Sequence, residues 1–373
     1  MQCELIGVNP MIRFEKPILV TRPYLPPLDE FKRGCEEIWA NRWLTNNGPL
    51  LQRFHHALAA YLGVEVENLA LFNNGTLALE LGYYAMGLAG GEVITTPFTF
   101  VATSHALKRI GATPVFADID PETMCLSPKA AEKLITPRTK AIVPVHVYGN
   151  ACDVNGFQRL GEKYGVKIIY DAAHAFGVNS LVPYGDMSMY SFHPTKLFHS
   201  CEGGLLIFKD KAIQERLFDL RNFSIHSETE CVDIGTNAKM NELQALMGLT
   251  CLEKISELLE WRNKIHETYK LMFSGCPSLR YLENSMNHAY CPILFRDFAT
   301  RERVYQGLKE QCNVFARRYF YPLLTSFAPY SYGRGLCPIA EDVSSRILTL
   351  PTYHGLTLMD VESIARNVIE LSK

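Results

Sequence analysis

The stretch LALFNNGTLALELGYYAMGLAGGEVITTPFTFVATSHALKRIGATPVFA, from Leu69 to Ala117, alternates between short apolar runs and longer helical runs. Its apolar runs are almost uniformly hydrophobic, which is typical of strands that are covered on both faces. The runs between them have the length that a crossover helix needs. An α/β layered domain is therefore expected. The predicted strands are Leu69–Phe72, Glu92–Thr95 and Pro114–Ala117, and the predicted helices are Leu77–Gly87 and Ala102–Ile110.

The same alternation continues downstream as far as Lys209. It extends the predicted sheet to seven strands, with helices on both of its faces. The further strands are predicted at Ala141–Val147, Val166–Tyr170, Met187–Phe192 and Leu205–Phe208, and the further helices at Pro128–Leu134 and Val154–Tyr164.

The character of the chain changes after Asp210. The run NELQALMGLTCLEKISELLEWRNKIHETYKLMF, residues 241–273, has apolar residues at three- and four-residue intervals, which predicts a long spine helix. Residues 1–30 are rich in proline and are expected to be extended. Three parts are expected: an extended segment over 1–30, a large α/β domain over 31–240, and the spine helix with a smaller α+β domain over 241–373.

Composition narrows the classes of function. The chain has 373 residues and a formal net charge of -2, which argues against a nucleic-acid or membrane-surface partner. Its apolar runs are too short to cross a bilayer and its N-terminus lacks the layout of a secretory signal, so a cytoplasmic protein is expected. The 11 cysteines are scattered without zinc-site spacing, which favours reduced thiols without a structural metal. Small-molecule partners are the expectation.

A lysine stands in the middle of YSFHPTKLFHSCEGG, residues 190–204. Lys196 lies on a short connection between two strands that both look buried. A lysine in a polar loop is usually a surface residue. In surroundings that exclude water, however, its amine becomes a usable nucleophile, and a Schiff base with a carbonyl is the chemistry that follows.

A carboxylate and a phosphate-type site complete the pattern. Asp171, in VKIIYDAAHAFG, ends a predicted strand, where ligands of α/β sheets bind, although capping of the next helix is the alternative. Gly75 and Thr76 open a helix directly after a strand, which presents free N–H groups to an anion. A lysine amine, a carboxylate for a pyridine nitrogen and a helix-start anion site are together what pyridoxal 5'-phosphate requires.

Eight ordered blocks resemble the DegT/DnrJ/EryC/StrS family of sugar-nucleotide aminotransferases. The blocks are NNGPLLQRF, NNGTLALEL, PFTFVATSHAL, PVFADIDPETM, IVPVHVYGN, YDAAHAFG, SFHPTKLFHSCEGG and GTNAKMNELQALMGL. The resemblance extends from about residue 18 to the C-terminus. It implies the fold-type I architecture of aspartate aminotransferase, with a mixed, mostly parallel seven-stranded sheet and a smaller C-terminal α+β domain. It also implies pyridoxal 5'-phosphate as the cofactor.

The resemblance implies three catalytic residues. Lys196 matches the lysine that forms the Schiff base and later carries the proton between the donor's α-carbon and C4 of the sugar. Asp171 matches the partner of the pyridine nitrogen. His174 matches the residue that flanks the ring, although a lone histidine is more often structural.

Five further positions match residues that bind the cofactor. Gly75, Thr76 and Ser191 match the phosphate site. Phe100 matches an aromatic residue that stacks on the ring, although a buried core phenylalanine is the ordinary alternative. Asn237 matches an asparagine that reaches the phosphate from the neighbouring subunit, which implies a homodimer with shared active sites.

The substrate follows from finer likenesses. VTRPYLPPLDEF, WLTNNGP and ARRYFYPL are similar to members that aminate C4 of dTDP-4-keto-6-deoxy-D-glucose, with L-glutamate leaving as 2-oxoglutarate. The product would serve surface-glycan (O-antigen) synthesis. Arg317, Arg318, Tyr319 and Lys239 could meet the nucleotide, although a solvated face is an equal alternative.

Several alternatives remain open at the level of sequence. The same cofactor residues would serve a 3-aminotransferase acting on a dTDP-3-keto-6-deoxyhexose, or an enzyme for a GDP-linked 4-keto sugar. A dehydratase of this fold would carry histidine in place of Lys196, and a protein that had lost catalysis would lack Lys196 or Asp171. A nicotinamide oxidoreductase would need a G-x-G-x-x-G turn, which the N-terminal third of the sequence lacks.

Overall fold

The computed structural model describes residues 11–373. The helices are assigned as follows: α1 Leu28–Asn41, α2 Pro49–Leu62, α3 Gly75–Ala85, α4 Val101–Arg109, α5 Pro128–Glu132, α6 Val154–Tyr164, α7 Ala212–Leu220, α8 Glu242–Leu252, α9 Ile255–Phe273, α10 Phe298–Glu310, α11 Pro338–Arg346 and α12 Leu358–Ser372. The strands are β1 Ile18–Leu19, β2 Leu69–Phe72, β3 Glu92–Thr95, β4 Thr113–Phe116, β5 Thr139–Val143, β6 Lys167–Asp171, β7 Met187–Ser191, β8 Gly204–Phe208, β9 Ile225–Ser227, β10 Glu230–Cys231, β11 Leu279–Tyr281, β12 Cys291–Phe295, β13 Val314–Phe315 and β14 Ile347–Leu350.

A seven-stranded sheet forms the centre of the larger part. Its order is β2-β8-β7-β6-β5-β3-β4. Strand β8 is antiparallel to both neighbours, and the remaining pairs are parallel. The predicted fold class, a mixed and mostly parallel seven-stranded sheet with a smaller strand-containing part, is confirmed.

Alternate residues of each strand enter different cores, because side chains along a strand point to opposite faces. Leu71 of β2 packs with helices α2 and α8 on one side of the sheet. The next residue, Phe72, packs with α3, α4 and α7 on the other side. The near-continuous apolar runs of the sequence thus reflect a sheet that is buried on both faces.

The smaller part is built on an antiparallel sheet of order β11-β12-β14. Its core contains apolar side chains from that sheet and from helices α9, α10 and α12. Near the N-terminus, β1 pairs in parallel with β13, which attaches that segment to the smaller part. Of the segment expected to be extended, residues 11–27 contain β1 alone among the helices and strands, and α1 already begins at Leu28. Residues 1–10 lie outside the described residues.

The predicted spine over residues 241–273 is two helices rather than one. Helix α8 begins with a capping box between Asn241 and Gln244, and α9 begins at Ile255. Leu246 of α8 packs in the core beside α2, whereas Ile265 of α9 packs in the core of the smaller part. Ile255 and Leu258, at the start of α9, still pack in the core beside α2, so the passage from one core to the other lies within α9. Within residues 11–373, none of the helices is both long and apolar enough to cross a membrane.

Candidate active site

A cavity of about 330 Å³ opens beyond the ends of several strands of the large sheet. The segments that follow β2, β3, β6 and β7 all reach it, because parallel strands end at the same edge and β8 returns between β2 and β7. Seven of the eight predicted site residues line it: Gly75, Thr76, Phe100, Asp171, His174, Ser191 and Lys196. The edge of the sheet thus brings together motifs that are far apart in the sequence.

The predicted anion site is the first turn of α3. Asn74 caps this helix, since its side-chain oxygen accepts a hydrogen bond from the N–H of Leu77 at 2.9 Å. Among the described residues, no acceptor pairs with the N–H groups of Gly75 and Thr76, as expected for a helix start. A Cβ at Gly75 would come within 3.3 Å of Ser191 Oγ. Glycine therefore leaves room for close approach to this turn.

Asp171 is the last residue of β6 and only 4% of its surface is exposed. Its Oδ2 accepts a hydrogen bond from Thr103 Oγ1 at 2.7 Å, and its Oδ1 accepts one from the Ala173 N–H at 3.1 Å. Burial raises the pKa of this carboxyl above its usual value, against the opposing effect of these two donors and of Lys196. The alternative of a simple helix cap does not apply, because the segment after β6 is a turn.

His174 is held as a neutral ring. Its Nδ1 accepts a hydrogen bond from the Tyr148 N–H at 3.1 Å. Burial lowers the pKa of His174 well below its usual value, and the nearby cations Lys196 and Arg317 lower it further. A neutral imidazole that accepts at Nδ1 carries its proton on Nε2.

Lys196 lies in the connection between β7 and β8, and its side chain is half-buried. Its backbone N–H donates to the His193 carbonyl at 2.9 Å, which folds this connection into a tight turn. Its Nζ donates a hydrogen bond to the hydroxyl of Tyr290 at 3.3 Å. The amine is therefore directed into the cavity rather than into bulk solvent.

Two predicted residues have more specific placements. Phe100 lines the cavity with half of its surface exposed, so the alternative of a buried core phenylalanine is wrong. Asn237 is exposed, forms an isolated bridge with Asn222, and is not part of the cavity of its own chain. A role for Asn237 in the active site therefore needs a second subunit, and the roles of all eight residues stay predictions.

The residues suggested for the nucleotide divide into two pairs. Arg317 and Tyr319 line the cavity. Arg318 instead forms an ion pair with Glu302 at 3.0 Å, and Lys239 donates to Asn222 at 2.7 Å.

Two residues whose side chains hydrogen-bond to the side chains of predicted catalytic groups were missed. Thr103 bonds Asp171, and Tyr290 bonds Lys196. Thr103 lies in the first turn of α4 and its hydroxyl is 2.9 Å from that of Thr99, which precedes the helix, so the two threonines of TFVATS, residues 99–104, were the signal available in the sequence. Tyr290 had no such signal, because it comes from the smaller part of the molecule.

These residues fit pyridoxal 5'-phosphate. Burial raises the pKa of Asp171, so a protonated pyridine nitrogen beside its carboxylate would stabilise the charged form. The free N–H groups at the start of α3 suit a phosphate dianion, and the amine of Lys196 suits the carbonyl. The donor set therefore matches the nitrogen, the phosphate and the aldehyde of that group.

A family model described as the DegT/DnrJ/EryC1/StrS aminotransferase family matches residues 28–369. The chain belongs to this family of aminotransferases. The resemblance seen in the sequence is thus confirmed, together with the expected class of enzyme.

Two relatives are similar over most of their length, and both are named dTDP-4-amino-4,6-dideoxy-D-glucose transaminase. The one from Shigella dysenteriae is 42% identical over 96% of this chain and 100% of its own. The one from Escherichia coli is 40% identical over 92% of this chain and 95% of its own. A solved structure of DesI in the presence of its TDP-sugar product has a TM-score of 0.89 and 33% identity, covering 97% of this chain and 94% of its own.

Proposed function

We propose that this protein is a pyridoxal 5'-phosphate-dependent aminotransferase that makes dTDP-4-amino-4,6-dideoxy-D-glucose from the 4-keto sugar. The observation that carries the proposal is the convergence of Lys196, Asp171 and the α3 anion site on one cavity. The two relatives that are 42% and 40% identical bear the name of this activity, which supports the choice of sugar made from the sequence. Surface-glycan (O-antigen) synthesis is the proposed use of the product.

The cofactor, when bound, supplies an electron sink that makes removal of a proton from carbon feasible. Asp171 would hold the ring nitrogen in its cationic form, because its buried carboxylate gains a partner by doing so. Gly75, Thr76 and Ser191 would hold the phosphate. His174, neutral and fixed by the Tyr148 N–H, would keep the ring from shifting without adding a positive charge near it.

Lys196 would move the proton in both half-reactions. As a base its amine takes the proton from the α-carbon of L-glutamate, the proposed donor, which leaves as 2-oxoglutarate. As an acid or base it then serves C4 of the sugar. The amine reaches the cavity from the β7–β8 turn, so one residue can serve two substrates that occupy the same space in succession.

Arg317 would meet the anionic groups of the substrates. Its guanidinium lies 4.2 Å from the centre of the Tyr319 ring, and among residues 11–373 no carboxylate pairs with it. An unpaired arginine at a cavity wall can bind carboxylate or diphosphate oxygens in a bidentate manner. The ion-paired Arg318 is not proposed for this role.

A homodimer with shared sites is part of the proposal. The segment from Asn222 to Asn237 carries large apolar side chains that stay exposed in one chain, and Ile234 is 88% exposed. Such exposure next to Asn237 is typical of a surface that a partner covers. A symmetric pair would carry each Asn237 to the other chain's cavity.

The proposal is tested by incubating the protein, pyridoxal 5'-phosphate and L-glutamate with dTDP-4-keto-6-deoxy-D-glucose and determining the product by NMR. An equatorial amine at C4 is the expected result. An axial amine would preserve the chemistry and change the sugar. Amination of a dTDP-3-keto or GDP-linked 4-keto sugar in place of this substrate would contradict the assignment.

A further inference from the structure

The mechanism proposed for Lys196 does not use the contact between its amine and Tyr290. The hydroxyl of Tyr290 accepts a hydrogen bond from Lys196 Nζ at 3.3 Å and is the partner of that amine among the described residues. Tyr290 directly precedes β12 of the smaller part, whereas Lys196 lies between β7 and β8 of the larger part. The two parts of the molecule therefore meet at the reacting amine.

The ring of Tyr290 is enclosed by other aromatic rings. Its centre lies 4.5 Å from that of His174, 5.7 Å from that of Tyr148 and 5.8 Å from that of Tyr319. Rings at these separations attract one another and restrict one another's rotamers. The hydroxyl at the end of the ring consequently has little freedom to move.

The backbone beside Tyr290 is anchored to the loop that carries His174. The buried Asn287 donates hydrogen bonds from Nδ2 to the carbonyls of His174 and Phe176, both at 2.8 Å, and its Oδ1 accepts one from the Ala289 N–H at 3.1 Å. The buried Arg262 donates to the Ala289 carbonyl at 2.8 Å. These bonds fix the position of Tyr290 relative to the loop that carries His174 as well as to its own sheet.

We infer that Tyr290 is a positioning residue that holds the Lys196 amine beside the reacting carbon, which is the α-carbon of glutamate in the first half-reaction and C4 of the sugar in the second. A lysine side chain has four rotatable bonds, and an amine displaced by 1 Å can cost about 100-fold in rate. The Tyr290 hydroxyl oxygen can accept a hydrogen bond from Nζ whether the Lys196 amine is neutral or protonated. Nζ accepts a proton from the α-carbon of glutamate in the first half-reaction and donates one to C4 of the sugar in the second, and Tyr290 keeps its own proton throughout.

The inference rests on the proposed function, and it predicts a defect shared by both half-reactions. Tyr290→Phe keeps the ring and removes the acceptor. The matched control is Tyr281→Phe, which removes the hydroxyl of a buried tyrosine that bonds His266 at 2.8 Å, away from Lys196. Single-turnover rates are measured for L-glutamate and for dTDP-4-keto-6-deoxy-D-glucose, and the first is repeated with glutamate deuterated at its α-carbon.

We expect Tyr290→Phe to slow both half-reactions by roughly 10- to 100-fold, with an increased deuterium isotope effect and an unchanged dissociation constant for glutamate. Tyr281→Phe should stay within about twofold of the parent protein on every measure. Rates of Tyr290→Phe close to those of the parent would overturn the inference. So would a slowing without any change in the isotope effect, because that points to a structural role.

A second readout does not depend on turnover. The full chain freed of cofactor is treated with acetic anhydride at fixed pH, and acetylation of Lys196 is compared with that of the exposed Lys209 by peptide mass spectrometry. Tyr290→Phe loses the hydrogen bond to Lys196, so the ratio of Lys196 acetylation to Lys209 acetylation should rise at least about threefold. The same ratio should be unchanged in Tyr281→Phe. An unchanged ratio in both would refute the contact. If the parent protein transfers no amino group, the proposed function fails while this ratio still tests the contact.

Discussion

The hydroxyl of Thr103 donates a hydrogen bond to Oδ2 of Asp171 at 2.7 Å, and so joins helix α4 to the last residue of β6. Asp171 needs this donor because burial works against its charged form. Thr103 Oγ1 also lies 2.9 Å from Thr99 Oγ1, which fixes its rotamer. The charge state proposed for Asp171 therefore depends on a residue from a different strand–helix unit.

Replacing Thr103 with valine should weaken cofactor binding. The variant keeps the shape of the side chain and removes the donor, so the pKa of Asp171 rises further and its carboxylate holds a cation less well. We expect the dissociation constant for pyridoxal 5'-phosphate to increase roughly 10- to 100-fold, as measured by spectroscopic titration. Thr103→Ser, which keeps the hydroxyl, serves as control. Equal affinity of the valine and serine variants would contradict the proposed role.

Replacing Gly204 with alanine should damage the phosphate site selectively. A Cβ at this position would lie 2.5 Å from the Asn74 carbonyl oxygen and 2.9 Å from Gly75 Cα, so the start of α3 would have to shift. We expect affinity for pyridoxal 5'-phosphate to fall about tenfold or more, whereas binding of pyridoxal, which has no phosphate, should change little. A parallel loss for both compounds would show that the damage is general.

Mixing two impaired variants should restore activity if Asn237 acts across a dimer. Lys196→Ala loses the proton carrier, which contributes roughly 10²- to 10⁴-fold to the rate, and Asn237→Ala loses the proposed phosphate contact. A mixed dimer would contain one intact site, so random reassociation should recover about a quarter of the parent activity. Both proteins are unfolded and refolded together, and activity is compared with that of each variant alone. No recovery in verified mixed dimers would place Asn237 outside the partner's site.

The stability of the protein should fall on the acid side of neutrality. Burial lowers the pKa of His146 to about 4 in the folded protein. In the unfolded chain the same histidine has its ordinary pKa of about 6.5, so between these two pH values the unfolded chain binds a proton that the folded protein does not. Its stabilising contribution is thus complete above pH 6.5 and is lost as the pH falls from there towards 4. This effect of His146 should lower the free energy of unfolding by roughly 2 kcal/mol at pH 5 relative to pH 7.5.

Urea denaturation of the holoenzyme at several pH values measures this effect. His146→Asn keeps an acceptor where Nδ1 receives the Cys152 N–H at 3.1 Å, but it does not titrate in this range. Its unfolding free energy should therefore depend less on pH than that of the parent. An identical pH dependence for both proteins would mean that His146 is not kept neutral by the fold.

Apolar patterning located the seven strands of the large sheet but not the ends of all of them. Leu69–Phe72 and Glu92–Thr95 were predicted with the observed limits, since turn residues follow each. The run predicted at residues 141–147 is a strand only to Val143, because Pro144 lacks an N–H group for the ladder. Beyond it Tyr148 adopts a left-handed conformation, with a φ of 59°, that apolar patterning does not reveal.

Motifs located the side chains at the ends of the strands, because each motif combines a strand end with a reactive residue. Thr103 and Tyr290 were not found in that way, since each acts through a contact that only the folded chain creates. The break between α8 and α9 was missed for a different reason. Neither proline nor glycine marks it, and Cys251 and Ile255, on either side of it, pack in the same core.

The position of β2 at the edge of the sheet affects the order of events during synthesis. Among the strands of residues 11–373 it pairs with β8 alone, which lies 132 residues later when counted from Phe72 to Gly204, the last pair of their register. In a nascent chain that ends before Gly204, β2 would have no strand on either side. The proposed anion site that follows β2 would then lack the support of β8. Pairing over such a distance is slow. The chain can therefore bind its cofactor only after the ribosome has released most of it.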